Sequence, residues 1–239
     1  MRILAFDTAT AATSVALCDV GSRPGAGRVD LEVRDDPAPG ARPGHTRVLL
    51  ALIEDVLAQG GGWDTVERIA VGVGPGTFTG LRIGIASARS LARARGLDLV
   101  GVSTLRSLAA AARGATPRSA IVAVIDARRG EAFAAAWGHG DDPAVAAPLL
   151  APSVLAPEQL AGACARLDAG ALAVGDGAIR FRATLEGAGV VVSSGDSPLH
   201  RVTAREHCRI AAAIQPGDPE GVLPVYLRIP DAELTRPPS

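Results

Sequence analysis

The chain has 239 residues, of which 48% are hydrophobic and 21% charged, so it can build a packed core and is not an intrinsically disordered protein. Its 24 basic and 25 acidic side chains leave a net charge of −1, which argues against a protein that binds nucleic acid by charge alone. Aromatic residues make up only 3%, too few for a platform on which single-stranded bases stack.

Three features of the sequence bear on the compartment. An acidic residue, Asp7, comes too early for a secretory signal peptide. No apolar run approaches the ~18 residues that a membrane-spanning helix needs. The three cysteines are an odd number without a Cys-x-x-Cys pair, which fits neither a disulfide framework nor a zinc ribbon. We therefore expect a cytoplasmic protein with buried free thiols and no contact with a membrane.

In the first half of the chain, short apolar strands alternate with helical patterns. Residues 29–33 alternate between apolar and charged side chains, as a half-exposed strand does. Apolar residues then recur at helical spacing from 48 to 57, and the glycines at 60–62 end that helix. The predicted strands are 3–6, 14–17, 29–33, 69–73 and 97–102, and the predicted helices are 48–57, 78–94 and 104–113.

The same order of elements restarts at residue 121. Asp7 and Asp126 each close a first strand, and the glycine pairs at 74–76 and 175–177 each close a fourth. The predicted strands are 121–125, 132–137, 149–154, 172–174 and 190–192. One predicted helix begins at Pro157, a second follows Gly177 and a third spans 204–213. An extended segment covers 222–227.

Three strands followed by alternating helices and strands is the order of a ribonuclease-H-like unit. Two such units in one chain predict an α/β protein with the actin-like (ASKHA) fold, and one long domain is the alternative. We place the domains at 1–103 and at 104–239, the second ending in a Pro-rich tail.

In a duplicated fold of this kind, phosphates bind in the cleft between the halves. The turn after Asp7 begins with Thr8 and is small and rich in hydroxyls, so Asp7, Thr8 and Asp126 are candidate nucleotide-binding residues. Alternatively, each aspartate caps its strand end and bonds its own turn. The Gly74-Pro75-Gly76 sequence before a helix lacks the lysine of a P-loop, and a tight strand-to-helix turn is the better interpretation.

The predicted helix 78–94 carries small residues at intervals of four. Gly80, Gly84 and Ala88 lie on one face, which must pack closely against something. A partner helix and the chain's own sheet are equally good candidates. The partner hypothesis predicts that Gly84→Leu blocks partner binding in a chain that still folds.

Signals for catalysis are weak in this sequence. The four histidines form no pair at metal-ligand spacing, and Gly-x-Ser-x-Gly does not occur. We therefore expect no catalytic residue and no metal site, and the pattern favours a binding or scaffold role.

Five longer motifs stand out in the chain: Ile3–Thr8, Val71–Gly84, Gly101–Leu105, Ile125–Glu131 and Pro224–Arg228. Together they resemble the bacterial TsaB (YeaZ) family. The resemblance implies a two-domain actin-like fold and a role in making N6-threonylcarbamoyladenosine in tRNA. It implies that TsaC makes threonylcarbamoyl-adenylate, that the paralogue TsaD transfers the threonylcarbamoyl group, and that TsaB pairs with TsaD while the ATPase TsaE joins them.

The resemblance also implies roles for particular residues. TsaD carries a His-x-x-x-His metal site where this chain has Thr104 and Leu108, so metal and transferase chemistry should be absent. In the family, the first two helices meet those of the partner. The partner-binding candidates are His45, Leu49, Leu52, Thr77, Phe78, Gly80, Arg82, Gly84 and Ala88.

These implications predict a non-catalytic subunit that supports TsaD together with TsaE, forms a homodimer when TsaD is absent, and meets tRNA only through the complex. No cofactor is expected beyond a weakly held nucleotide at the partner interface. The alternative is a stand-alone metal- or nucleotide-dependent enzyme, either a glycoprotease-like peptidase or a small-molecule kinase.

Overall fold

Two five-stranded sheets organise the protein in a computed structural model, which describes residues 1–21, 29–38, 40–116, 119–167 and 170–228. The Pro-rich end of the second predicted domain, 229–239, lies outside the described residues. The strands are β1 (Arg2–Asp7), β2 (Thr13–Asp19), β3 (Asp30–Asp35), β4 (Arg68–Gly74), β5 (Asp98–Ser103), β6 (Ile121–Asp126), β7 (Ala132–Trp137), β8 (Leu150–Leu155), β9 (Leu172–Val174) and β10 (Val191–Val192). The helices are α1 (His45–Gly60), α2 (Phe78–Arg95), α3 (Thr104–Ala115), α4 (Pro157–Cys164), α5 (Asp176–Arg180), α6 (Arg182–Gly187) and α7 (Ala204–Ala211).

The two sheets have the same topology. The first runs β3-β2-β1-β4-β5 and the second β8-β7-β6-β9-β10. In each, the first three strands pair antiparallel and the last two join in parallel register. This repetition confirms the predicted α/β class with two ribonuclease-H-like units.

Helices cover the sheets in layers. Helices α1 and α2 pack on one face of the first sheet, and α7 packs on its other face. Helix α3 lies on the second sheet beside α7, and α4, α5 and α6 cover that sheet's outer face. Helix α7, from the second half of the chain, therefore completes the core of the first half. The boundary between 103 and 104 stays a prediction, and a cut there would remove α7 from the first sheet.

The ends of the two long helices follow from their capping residues. Helix α2 begins after Thr77, whose side chain accepts a hydrogen bond from the Gly80 N–H, and ends at Gly96 in the left-handed conformation (φ 65°). Helix α1 begins at His45 and is capped at its C-terminus by Gly61 in the left-handed conformation (φ 99°). That start precedes the predicted one at residue 48, because the first turn lies before the apolar periodicity on which the prediction rested.

Other expectations hold with small changes. All three cysteines are buried and free of disulfides. Residues 222–227 form no strand but are held on the first sheet, where the Val225 N–H donates to the Val73 carbonyl at 2.8 Å. Among the described residues, no helix combines the length and hydrophobicity that crossing a membrane requires.

Candidate functional site

The small-residue face of α2 packs against the chain's own first sheet. Thr8, at the end of β1, donates from its Oγ1 to the Gly80 carbonyl at 2.7 Å. A Cβ on Gly80 would overlap the Thr8 carbonyl oxygen, and one on Gly84 would lie 2.5 Å from Thr8 Oγ1. Ala88 is fully buried in the same core. The hypothesis that Gly80, Gly84 and Ala88 present an open face to a partner is therefore corrected: β1 and β4 already cover that face.

The turn that follows β1 packs against the N-terminus of α2. The Thr77 N–H donates to the Ala9 carbonyl at 2.7 Å, and a Cβ on Gly76 would lie 2.4 Å from that carbonyl oxygen. A helix N-terminus binds anions through free N–H groups, but here a carbonyl faces it. Residues 74–76 thus form a tight strand-to-helix turn, which is the interpretation that the sequence favoured.

Asp7 lies in a buried polar cluster between β1, α3 and α7. Its Oδ1 accepts the Ala9 N–H at 2.8 Å, and its Oδ2 accepts from Thr104 Oγ1 at 3.1 Å and from His207 Nε2 at 3.0 Å. His207 Nδ1 lies 2.8 Å from Ser107 Oγ. Burial alone would raise the pKa of Asp7, but the hydrogen bonds from His207, Ala9 and Thr104 and the charge of His207 outweigh it and lower that pKa.

These contacts bear on the predicted nucleotide site. Asp7 and Thr8 are both buried, so neither side chain faces a cleft. The geometry fits the alternative interpretation, in which the aspartate caps its strand end and bonds its own turn.

Asp126 occupies the corresponding place in the second half but is surrounded by arginines. Its Oδ1 accepts the Arg128 N–H at 2.8 Å, and its Oδ2 lies 2.8 Å from Arg180 Nη1. Neighbouring residues, Ile125 and Asp176, line a cleft of about 180 Å³ between the two halves. None of the three predicted nucleotide contacts lines this cleft, although residues 10–12 of the turn after Thr8 do, and the roles of the three stay predictions.

The position that the resemblance compares with a metal site does not fit a metal. The Thr104 hydroxyl bonds Asp7, and Leu108 is an apolar side chain, fully buried beside Gly175. Within the described ranges, no three His, Cys, Asp or Glu side chains are grouped so that they could hold a metal ion.

The remaining partner-binding candidates divide by exposure. His45 and Leu49 are buried; Nδ1 of His45 lies 2.8 Å from Thr13 Oγ1, and burial lowers the pKa of His45 although the charge of Asp7 acts in the opposite direction. Leu52 and Thr77 are half-buried, while Phe78 and Arg82 are exposed.

Arg82, Phe78 and Tyr226 contact one another at the exposed start of α2. The Arg82 guanidinium lies 3.8 Å above the centre of the Phe78 ring. The ring of Tyr226 lies 5.3 Å from that of Phe78, and Arg82 Nε donates to its hydroxyl at 3.2 Å. Sequence reasoning did not select Tyr226, although it belongs to a motif that carries the resemblance. It also missed Leu50, which is 56% exposed on α1.

Comparison with known proteins places the chain in a family. A family model described as TsaD, tRNA N6-adenosine threonylcarbamoyltransferase, matches residues 39–185. The tRNA threonylcarbamoyladenosine biosynthesis protein TsaB of Escherichia coli (strain K12) is 38% identical over 143 residues, 59% of this chain and 57% of that protein. The chain belongs to the TsaB (YeaZ) family. The TsaB protein of Haemophilus influenzae is 35% identical over 134 residues, 56% of this chain and 52% of that protein.

The structures of TsaB-family proteins agree with this assignment. YeaZ from Pseudomonas aeruginosa superposes with a TM-score of 0.74 and 29% identity, over 95% of this chain and 99% of that one. The actin-like two-domain fold is thereby confirmed. The chain spans a little over half the length of the curated TsaB relatives that it matches.

Proposed function

We propose that this chain is a non-catalytic subunit of the complex that makes N6-threonylcarbamoyladenosine in tRNA, and that it binds and supports TsaD together with TsaE. The family assignment supports the pathway. The observation that carries the subunit role is the filled position at Thr104 and Leu108, where a hydroxyl bonded to Asp7 and a buried leucine replace metal ligands.

The outer faces of α1 and α2 are the proposed contact with TsaD. Because the small residues of α2 pack inward, its opposite face carries Phe78 and Arg82, and α1 adds Leu50 and the half-buried Leu52. Exposed apolar side chains ringed by charge are typical of protein interfaces. In the absence of TsaD, the same apolar surface supports a homodimer. The complex works in the cytoplasm, and tRNA is reached through it.

Leu50→Glu tests the contact with TsaD. A charge in the centre of the apolar surface is expected to weaken TsaD binding at least about tenfold, because an unpaired carboxylate would be buried in the complex. The side chain is exposed in the free protein, so the unfolding temperature should not change. Calorimetric titration with purified TsaD measures the affinity.

The matched control is Val145→Glu, which places a carboxylate at an exposed valine of the second half. Equal affinities of both variants and the wild type would contradict the proposed surface. Stoichiometric metal or sustained ATP hydrolysis in the purified chain would instead support the stand-alone enzyme.

A further inference from the structure

The cleft of about 180 Å³ between the two halves has walls that combine apolar and charged side chains. Residues 10–12 of the turn after β1 form part of its lining, and residues 200–202, which precede α7, form another part. Leu108, Ile125 and Val202 contribute apolar surface. Sites for small molecules are mostly apolar with a few convergent polar groups, so the cleft has the composition of a ligand site.

Two charged side chains of the cleft have no ionic partner in the part of the chain that the structure describes. Asp36 is not one of them, because it pairs with Arg34 at 2.8 Å. Asp176 and Arg201 are both exposed, and neither forms a salt bridge with a described residue. Oδ1 of Asp176 accepts the Asp126 N–H at 3.0 Å. The cleft therefore offers one carboxylate and one guanidinium to a ligand.

Hydrogen bonds hold the backbone next to these two side chains in place. His200 Nδ1 accepts the Gly175 N–H at 3.1 Å, and each of the two charged residues directly follows one member of that pair. Arg34 donates from Nη1 to the Val202 carbonyl at 2.9 Å, which fixes the same segment from the first half. The two opposite charges are thus attached to backbone that is already ordered, which reduces the entropy cost of binding.

The surroundings of Asp176 favour a cation in the cleft. Partial removal from water raises the pKa of this carboxyl group, and the nearby charge of Asp126 acts in the same direction. A bound cation would compensate for both effects, because an opposite charge at short range stabilises a carboxylate. An ammonium group supplies that charge and also donates hydrogen bonds.

The lining argues against a nucleotide as the ligand. The volume is below the roughly 300–1,000 Å³ that is usual for sites of drug-sized ligands. The carboxylates of Asp36 and Asp176 would repel a chain of phosphates. Within the described ranges, Arg201 is the one guanidinium of the lining without a carboxylate partner. A small zwitterion satisfies both the size and the charges.

We propose that the cleft binds a free α-amino acid with a short side chain. The ammonium group of the ligand pairs with Asp176, and its carboxylate accepts two hydrogen bonds from Arg201. The side chain of the ligand packs against Leu108 and Ile125. This site goes beyond the proposed function and does not depend on it.

Titration of the purified full-length chain with L-alanine, L-valine and L-threonine, followed by ligand-observed NMR, tests the proposal. At least one of them is expected to bind with a dissociation constant of about 1 mM or lower. Asp176→Asn and Arg201→Gln should each weaken that binding at least about tenfold, because each removes a charge-assisted hydrogen bond. Asparagine keeps the oxygen that accepts the Asp126 N–H, so the fold should be retained.

The matched controls are Asp196→Asn and Arg166→Gln, which remove exposed charges outside the lining of the cleft. Both should bind the amino acid as the wild type does. Ligand analogues test the same contacts without a substitution in the protein. The N-acetyl derivative lacks the ammonium charge and the amide derivative lacks the carboxylate, so both should bind at least about tenfold more weakly than the parent amino acid.

Three results would overturn the proposal. The first is that none of the three amino acids binds the wild type in the millimolar range. The second is that Asp176→Asn and Arg201→Gln bind as tightly as the wild type, which would place the ligand elsewhere. The third is that ATP displaces the amino acid and binds more tightly, which would make the cleft a nucleotide site. None of these results concerns TsaD binding, which Leu50→Glu tests separately.

Discussion

Gly80→Ala is expected to destabilise the protein by about 1–3 kcal/mol, the usual cost of overpacking a filled site. The new methyl group would overlap the Thr8 carbonyl oxygen and lie 2.6 Å from Thr77 Oγ1. Because the first of these obstacles is backbone, β1 or α2 must shift. The higher helix propensity of alanine, about 1 kcal/mol, offsets only part of the cost. Denaturant unfolding followed by circular dichroism measures the change.

Gly162→Ala in α4 is the control for this prediction. Gly162 is also a helical glycine, but no atom lies within 4 Å of an added Cβ, so the substitution should be neutral or stabilising. If Gly80→Ala were as stable as this control and lost TsaD binding, the small-residue face would be the partner surface that the sequence suggested.

Asp7→Asn is expected to cost about 1–3 kcal/mol, the usual cost of leaving a buried hydrogen-bonding group without its partner. The substitution leaves His207, which is fully buried on α7, without its carboxylate partner. His207→Gln should have a similar effect, and the double variant should lose less than the sum because the two side chains are in contact. Strict additivity of the two losses would show that they do not interact.

The stability that Asp7 contributes should depend on pH. Its pKa in the folded protein is lower than the ordinary value of 3.8. The unfolded state therefore binds the proton first, so the contribution is complete above pH 3.8 and is lost as the pH falls through the lower folded value. Unfolding free energies of the wild type and Asp7→Asn should converge in that acidic range.

Asp142→Asn is the matched control for Asp7→Asn. Asp142 pairs with Arg209, also on α7, at 3.3 Å, but both side chains are more than 40% exposed. Solvent screens such pairs, so the loss should be below about 1 kcal/mol. Equal losses for the two aspartates would contradict a special role of the buried pair.

Local patterns in the sequence were sufficient to predict most of the architecture. Short apolar runs, with period-two alternation at 29–33, located the strands, and helical periodicity located the long helices. The recurrence of Asp7 as Asp126 indicated the duplication. The motif from Val71 to Gly84 was specific enough to indicate the family. Each of these signals lies within a short stretch of chain, where spacing reflects local geometry directly.

The site was less predictable because its geometry depends on distant contacts. Four-residue spacing shows that one face of α2 carries small side chains, but it does not show that Thr8 and β4 fill the space beside that face. His207 and Asp7 are 200 residues apart in the sequence, so no local pattern predicts the hydrogen bond between them. Tyr226 meets Phe78 only because residues 222–226 return over α2.

The inward packing of the small residues has a functional consequence under the proposed role. It fixes α2 against the sheet at short distance, so the opposite face presents Phe78 and Arg82 in one orientation. A rigid surface loses little conformational entropy on binding, which favours a subunit whose task is to hold a partner. The buried cluster around Asp7 then ties β1 to α3 and α7, beneath that surface.

The most direct test of the subunit role is reconstitution of tRNA modification. TsaC, TsaD and TsaE are incubated with threonine, bicarbonate, ATP and unmodified tRNA, with and without this chain, and N6-threonylcarbamoyladenosine is measured by mass spectrometry. We predict modified tRNA only when the chain is present, and little of it when Leu50→Glu replaces the wild type. Full modification in the absence of the chain would contradict the account.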